Sequence, residues 1–249
     1  MLFEGHWYCS PECAETRVRL RLLDGGSTGR ARETTHRIPL GLMLLSHGRL
    51  NSSQLQCGLE RQRDAGHGRI GEWLQSLGYV KDRDVIAALA AQWSCPMMKA
   101  DFHPSRTTLS LVPQSLQERF AMVPVHFSSI THVLYVGFEQ QIDYSLLYAI
   151  GHMLDCRAEP CIISHADWLK NRRDHRASVD VVFCHPCDAD ETARIVRSYL
   201  ARYGSCEMRM ARLRSGVWFR LRSGDTAGDI LFDRISSETP SGHPSQTLA

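Results

Sequence analysis

Four cysteines have spacings that could hold a metal ion or exchange a disulfide. Cys9 and Cys13 lie four residues apart near the start of the sequence, and Cys184 and Cys187 enclose His-Pro. Zinc takes four thiolate or imidazole ligands in a tetrahedron. We therefore weigh two interpretations: a zinc site that combines both pairs, with His6 as a further candidate ligand, and a truncated half-site that binds no metal.

The second cysteine pair follows a predicted strand and precedes a predicted helix. A redox pair of the thioredoxin type needs a Cys-x-x-Cys motif at a helix start. The surrounding pattern of Cys184-His-Pro-Cys187 does not look like thioredoxin. We rank a structural cysteine pair first, a zinc half-site second and a redox site third.

The sequence lacks the motifs that would predict an enzyme. Its three lysines are Lys81, Lys99 and Lys170, and none follows a glycine, so there is no Gly-Lys-Ser/Thr to hold ATP phosphates. There is also no Gly-x-Ser-x-Gly elbow to expose a nucleophilic serine. We expect a protein that is not an enzyme and needs no cofactor.

The polar residues of most interest belong to a tandem repeat. Residues 39–62 and 69–92 carry the same pattern with a constant offset of 30 residues, and each copy ends in a glutamine. Such ungapped self-similarity is not an accident of composition. The matched pairs are Leu40/Ile70, Gly41/Gly71, Leu44/Leu74, Gly48/Gly78, Leu50/Val80, Leu55/Val85, Gly58/Ala88, Leu59/Leu89 and Gln62/Gln92.

Each copy predicts two helices joined by a glycine turn. The apolar residues of the first helix are four apart and share a face. Gly48 and Gly78 can adopt the left-handed conformation that ends a helix. Ser52 and Asp82 are the predicted N-caps of the second helices. A glycine near each helix start would let another molecule approach the backbone.

This repeat closely resembles the MshEN domain, the N-terminal module of GspE/PilB-type ATPases of type II secretion and type IV pilus assembly. The resemblance implies that the two motifs together bind cyclic di-GMP, one half of the dinucleotide each. The ATPase domain of the family is missing. Carried onto this sequence, the ligand-binding residues are Arg37, Leu40, Gly41, Leu44, Leu45, Gly48, Leu50, Leu55, Leu59, Gln62, Arg69, Ile70, Gly71, Leu74, Gly78, Val80, Val85, Leu89 and Gln92.

The sequence departs from the family pattern at two places. The arginine that opens the family motif is present as Arg69 in the second copy, but the first copy has Pro39, with Arg37 two residues earlier. A guanidinium can stack on a base or bind phosphate, and a proline can do neither. The Asp-Pro that commonly follows the second strand is replaced by Gln140-Gln141.

The predicted fold class is α+β. It comprises a helical lobe of tandem hairpins, a small α/β lobe similar to the second lobe of MshEN, and a further small α+β domain. Arginines that alternate with apolar residues from Arg209 to Arg222 predict the solvated face of a hairpin, or a surface for an anionic partner. The predicted divisions are 1–36, a cysteine-containing segment and flexible linker; 37–100, the helical lobe; 101–175, the α/β lobe; 176–235, the C-terminal domain; and 236–249, a disordered tail.

The amino-acid composition limits the classes of protein to which the chain can belong. Hydrophobic residues make up 43% of the 249 residues, charged residues 22%, and the net charge is +2. These values are ordinary for a globular protein and imply neither a nucleic-acid partner nor membrane insertion. With no predicted signal peptide or membrane helix, we expect a cytoplasmic protein whose nine cysteines are reduced or bind metal.

Three functional hypotheses remain open from the sequence. The first is a regulatory module that binds cyclic di-GMP. The second is an interaction module of secretion or pilus machinery that has lost nucleotide binding, which Pro39 and Gln140 favour. The third is a zinc-dependent regulator that uses Cys9, Cys13, Cys184 and Cys187.

Overall fold

The computed structural model of the chain describes residues 1–24, 37–173, 180–185, 188–224 and 226–233. Its helices and two separate sheets confirm the predicted α+β class. The chain divides into two compact units, Gly29–Ser178 and the combination of Met1–Thr28 with Val179–Ala249. The predicted tail at 236–249 lies outside the described residues.

The tandem repeat forms two helix–glycine–helix hairpins, as predicted. Gly48 and Gly78 end the first helices with φ of 64° and 72°. Leu50 and Val80 follow as buried anchors, each 7% exposed. The four helices are α2 (Leu40–Ser46), α3 (Ser52–Ala65), α4 (Ile70–Ser76) and α5 (Asp82–Trp93).

The caps of the second helices lie one residue earlier than predicted. Asn51, not Ser52, caps α3, because its Oδ1 accepts from the backbone N–H of Gln54 at 2.9 Å, and Gln54 Oε1 accepts from the N–H of Asn51 at 3.0 Å. This reciprocal pair is a capping box. In α5 the cap position is Lys81, not Asp82, and the Asp84 carboxylate accepts from its N–H at 3.2 Å.

The two hairpins pack against each other through contacts between the first helix of one copy and the second helix of the other. Helix α2 of the first copy packs on α5 of the second, and α3 packs on α4. Each copy therefore buries its apolar stripe against the other, so neither hairpin has a complete core alone. The shared core consists of Leu44, Leu50, Leu55, Leu74, Val80, Val85 and Ala88.

The α/β lobe contains a sheet with strand order β3-β4-β5, in which β3 and β4 are antiparallel and β4 and β5 are parallel. The carboxyl ends of β4 and β5 therefore meet at one edge of the sheet. The strands are β3 (Met122–Ser128), β4 (Val133–Phe138) and β5 (Arg157–Ile162), and the helices are α6 (Arg106–Leu109), α7 (Gln114–Arg119), α8 (Tyr144–Leu154) and α9 (His165–Arg173).

The other unit is a six-stranded sheet with order β2-β1-β7-β8-β9-β6 and two helices that pack on each other. Its elements are β1 (Leu2–Phe3), β2 (His6–Trp7), α1 (Pro11–Leu23), β6 (Asp180–Cys184), α10 (Ala189–Tyr203), β7 (Glu207–Leu213), β8 (Gly216–Ser223) and β9 (Thr226–Asp233).

The start of the chain belongs to this sheet, although the sequence set it apart as a cysteine-containing segment. Strand β1 pairs in parallel with β7, and α1 packs on α10. Phe3, Ala14 and Val18 have no exposed surface. Residues 14, 18 and 22 form an apolar stripe at helical spacing, so the N-terminal segment completes the core of the C-terminal domain.

The arginine-rich hairpin is not simply a solvated face. Arg220 is only 8% exposed and forms two hydrogen bonds with the carboxylate of Asp229, at 2.9 and 2.8 Å. The same carboxylate accepts from Trp218 Nε1 at 2.7 Å. Arg212 donates to the backbone carbonyl of Leu22 at 2.8 Å. The buried charges of Arg220 and Asp229 therefore satisfy each other inside the sheet, because a buried charge without a partner is strongly destabilising.

Candidate functional site

A cleft of about 260 Å³ lies between the second copy of the repeat and the carboxyl edge of the β3-β4-β5 sheet. The helical hairpins supply most of its wall, and the segments after β4 and β5 supply the rest. The lining residues are Leu40, Arg69, Ile70, Gly71, Glu72, Gln75, Asp82, Val85, Ile86, Leu89, Glu139, Gln140, Ile163 and His165.

One wall of the cleft is apolar and comes from both copies of the repeat. Leu40 of the first copy lies beside Ile70 and Leu89 of the second. Gly71 allows the side chains of Leu40 and Val85 to approach the α4 backbone closely, since a Cβ there would lie 3.3 Å from both Leu40 Cδ2 and Val85 Cγ1. An apolar wall of this kind can pack against the face of an aromatic ring.

The polar end of the cleft is organised by Glu139, which is 9% exposed. Its Oε1 accepts from Gln140 Nε2 at 2.9 Å and lies 2.8 Å from His165 Nδ1. Arg69 Nη1 is 3.8 Å from the same oxygen. That distance is too long for a direct hydrogen bond, so the carboxylate and the guanidinium face one another with hydrogen-bonding capacity left for a ligand.

Arg69 is positioned by the start of α4. It occupies the cap position of that helix, and its backbone N–H donates to Glu72 Oε2 at 3.1 Å. The guanidinium is 58% exposed and lies 3.9 Å from Glu72 Oε1. A cation held between two carboxylates at the mouth of a cleft can bind a phosphate or the acceptor edge of a base.

Sequence reasoning missed Glu139 and His165. The resemblance places the family's acidic residue at Gln140-Gln141, where this sequence has no acid. In the structure the acid lies one residue earlier, directly after β4, and His165 opens α9 just after β5. The sequence holds only part of the signal: both residues follow the apolar run of a strand, but the parallel pairing of β4 with β5 that brings them to one edge is visible only in the structure.

Several predicted ligand residues lie in the core of the repeat. Leu44 and Leu74 have no exposed surface, and Leu50, Leu55 and Val80 are less than a tenth exposed. These side chains hold the hairpins together and do not line the cleft. Gly48 and Gly78 form the turns. Gly41 is buried, and a Cβ there would lie 2.7 Å from Leu55 Cδ1. Of the predicted residues, Leu40, Arg69, Ile70, Gly71, Val85 and Leu89 line the cleft.

The repeat glutamines bind backbone carbonyls in a reciprocal way. Gln62 Nε2 donates to the carbonyl of Gly68 at 2.9 Å, just before the second copy begins. Gln92 Nε2 donates to the carbonyl of Ile38 at 2.6 Å, just before the first copy begins. Each glutamine therefore fixes the entry to the other copy, and neither lines the cleft.

The first copy presents a different surface at the positions equivalent to the cleft. Leu42 corresponds to Glu72 and is 50% exposed, and Leu59 corresponds to Leu89 and is 40% exposed. Ile38, directly before the copy, is 56% exposed. Arg37 does not face the cleft: its guanidinium carbon lies 3.2 Å from the centre of the Trp93 ring.

The proposed zinc ligands are only partly brought together. The sulfurs of Cys9 and Cys13 are 3.5 Å apart. Cys184 is half-buried, and Cys187 lies outside the described residues. Within the described ranges, no group of three or more His, Cys, Asp or Glu side chains has the arrangement of a metal site. Among the same residues, no helix combines the length and apolar character needed to span a bilayer.

Comparisons with known proteins find similarity among solved structures. No protein-family model and no curated protein matches the chain. A structure of MshE with cdg is 23% identical, with a TM-score of 0.47, and the match covers 56% of this chain and 99% of that one. The N-terminal domain of XpsE is 17% identical, with a TM-score of 0.40, over 54% of this chain and 91% of that one.

Proposed function

We propose that the tandem repeat and the cleft beside it bind cyclic di-GMP, and that the chain is a regulatory module rather than an enzyme. One observation carries the proposal. Arg69 and Glu139 face each other across a cleft whose apolar wall comes from both copies of the repeat. A cation, an anion and an apolar wall can together bind a guanine base through its two hydrogen-bonding edges and its ring face.

The chemistry of guanine fits this arrangement. Its Watson–Crick edge carries N–H donors, which a carboxylate accepts, and its O6 and N7 are acceptors, for which a guanidinium is the preferred donor. Glu139 and Arg69 would read these two edges, while Leu40, Ile70 and Leu89 cover the ring face. Adenine lacks the N1–H donor and the O6 acceptor of guanine and keeps only its amino donor and N7, so it would make fewer hydrogen bonds with Glu139 and Arg69.

The size of the cleft fits one half of a cyclic dinucleotide. About 260 Å³ is slightly below the roughly 300–1,000 Å³ of pockets that enclose a whole drug-sized ligand. The second half would lie against the equivalent surface of the first copy, at Leu42 and Leu59. Leu42 offers apolar contact where the second copy has the charged Glu72, and Pro39 stands where the second copy has Arg69, so the second copy would supply most of the polar recognition.

Titration calorimetry of the purified protein with cyclic di-GMP tests the proposal, with GTP and cyclic di-AMP as controls. We expect selective binding at micromolar concentration or tighter with one dinucleotide per chain. Equal binding of cyclic di-AMP would contradict the roles of Glu139 and Arg69. No heat at high ligand concentration, in protein shown to be folded by circular dichroism, would rule the proposal out.

A second candidate is an interaction module that docks to secretion or pilus machinery without a nucleotide. The exposed Ile38, Leu42 and Leu59 favour it, because they leave large apolar side chains of the first copy at the surface, where a partner protein could cover them. It predicts a partner whose binding is lost in Leu42→Asp and Leu59→Asp but kept in Arg69→Ala. The nucleotide hypothesis predicts the strongest loss of ligand in Arg69→Ala.

A further inference from the structure

Two thiols meet at the start of α1. Cys9 precedes the cap residue Ser10, and Cys13 lies in the first turn of the helix. Their sulfurs are 3.5 Å apart, and both residues are exposed. A disulfide has a sulfur–sulfur distance of about 2.05 Å, so closure requires a movement of about 1.5 Å by side chains that solvent already surrounds.

The electrostatics of this pair differ from those of the other cysteines. A hydrogen bond with the Ser10 hydroxyl, and then one with the Cys9 thiol, lower the pKa of Cys13. The first turn of a helix also favours a thiolate. In contrast, burial raises the pKa of Cys95 to about 11 and that of Cys161 to about 12.

Burial likewise raises the pKa of Cys156, Cys184 and Cys206. The thiolate is the form that attacks disulfides. Near neutral pH, Cys13 therefore has a larger thiolate fraction than these five cysteines and is more accessible than they are. The resolving thiol that such a nucleophile needs lies beside it.

We propose that Cys9 and Cys13 form a redox-active dithiol whose oxidants are small disulfides of the glutathione type. The Cys13 thiolate attacks one sulfur of the oxidised disulfide, forming a mixed disulfide and releasing one thiolate. The Cys9 thiol then loses its proton and attacks the Cys13 sulfur. The intramolecular disulfide forms, the second small thiol leaves, and the oxidant has accepted two electrons.

The disulfide would join the segment after β2 to the first turn of α1. Both elements belong to the same unit: β2 pairs with β1, and Ala14 and Val18 of α1 lie in the core. The cross-link closes a loop of only five residues, so it changes the unfolded chain little. Its effect would be local, at the exposed surface between β2 and α1.

The test uses the full-length protein in buffers with graded ratios of reduced to oxidised glutathione, followed by acid quenching, alkylation and peptide mass spectrometry. Trypsin releases residues 1–17 as one peptide, because Arg17 is the first basic cleavage site. We expect this peptide to change in a single step from carrying two alkyl groups to carrying none, with a mass two hydrogens below that of the unmodified dithiol, while Cys95 and Cys161 remain reduced.

Single-cysteine variants assign the two roles. Cys9→Ser should accumulate a glutathione adduct at Cys13. Cys13→Ser should form its adduct at Cys9 about tenfold more slowly at neutral pH, because Cys9 lacks the helix position that favours a thiolate. Independent glutathione adducts at both residues of the native protein would overturn the proposal. Equimolar zinc in the purified protein, lost in both variants, would also overturn it, since the pair would then be a metal half-site.

Discussion

At the residue scale, the polar groups of the cleft are arranged around one carboxylate oxygen. Oε1 of Glu139 is 2.9 Å from the Gln140 amide nitrogen and 2.8 Å from His165 Nδ1, and Arg69 lies at 3.8 Å. The amide and imidazole fix the carboxylate, which is mostly buried, so it need not reorganise when a ligand arrives. The substitution of glutamine at position 140 therefore does not remove an acid from the cleft. It supplies a donor that orients the acid at position 139.

We predict that Arg69→Ala weakens binding of cyclic di-GMP by about 1.5–3 kcal/mol, which is roughly tenfold or more, because a charge-assisted hydrogen bond contributes about that much. Calorimetry measures the change. Arg63→Ala is the matched control, since Arg63 is exposed on α3 and does not line the cleft. Unchanged affinity in Arg69→Ala would remove this arginine from the ligand site.

A second residue-scale prediction concerns selectivity. Glu139→Gln keeps the shape of the side chain but replaces one acceptor oxygen with a donor. We expect affinity for cyclic di-GMP to fall about tenfold, while the weak affinity for cyclic di-AMP changes less. Parallel titrations of both ligands measure the ratio, and Glu60→Gln on the exposed face of α3 is the control. An unaltered ratio would show that Glu139 does not read the base.

At the scale of the elements, the repeat is held together by reciprocal contacts. Helix α2 packs on α5 and α3 packs on α4, so each copy completes the other. The glutamine at the end of each copy adds a hydrogen bond to the backbone just before the other copy. These hydrogen bonds give a structural reason for a polar residue at the end of an apolar stripe.

The glutamine contacts give a stability prediction. Gln92→Ala and Gln62→Ala should each lower the free energy of unfolding by about 1 kcal/mol, because each removes one hydrogen bond to a backbone carbonyl. Urea denaturation measures this. Gln56→Ala should change the free energy by a few tenths at most, since Gln56 is exposed and bonds only to Glu60, one turn away. Equal effects of all three substitutions would contradict the structural role.

Local features of the fold could be predicted from the sequence, and contacts between distant segments could not. The turns at Gly48 and Gly78 and the anchors at Leu50 and Val80 follow from spacing within one copy. The packing of α2 on α5 and of α3 on α4 could not be predicted in this way, because the apolar stripe of a helix does not specify which helix it packs on. For the same reason Glu139 was missed: a residue's place in a cleft depends on which strands are neighbours.

At the scale of the whole molecule, the two compact units have different organisation along the chain. One is continuous, Gly29–Ser178, and contains every residue of the cleft. The other joins the two ends of the chain through the pairing of β1 with β7 and the packing of α1 on α10. Cys9 and Cys13 belong to this second unit. The ligand site and the dithiol pair can therefore be tested separately.

Hydrogen exchange should distinguish the units when ligand binds. At a ligand concentration of 100 times Kd, binding stabilises the folded form by about 2.7 kcal/mol. We expect slower amide exchange in α2 to α5 and after β4 and β5, because these segments form the cleft, and unchanged exchange in β7, β8 and β9. Arg69→Ala protein at the same ligand concentration is the control, and a tenfold weaker affinity should lower the stabilisation to about 1.4 kcal/mol, with correspondingly less protection. Equal protection of β7 to β9 in the native protein would contradict this prediction. It would mean that the effect of the ligand on stability is not confined to the continuous unit.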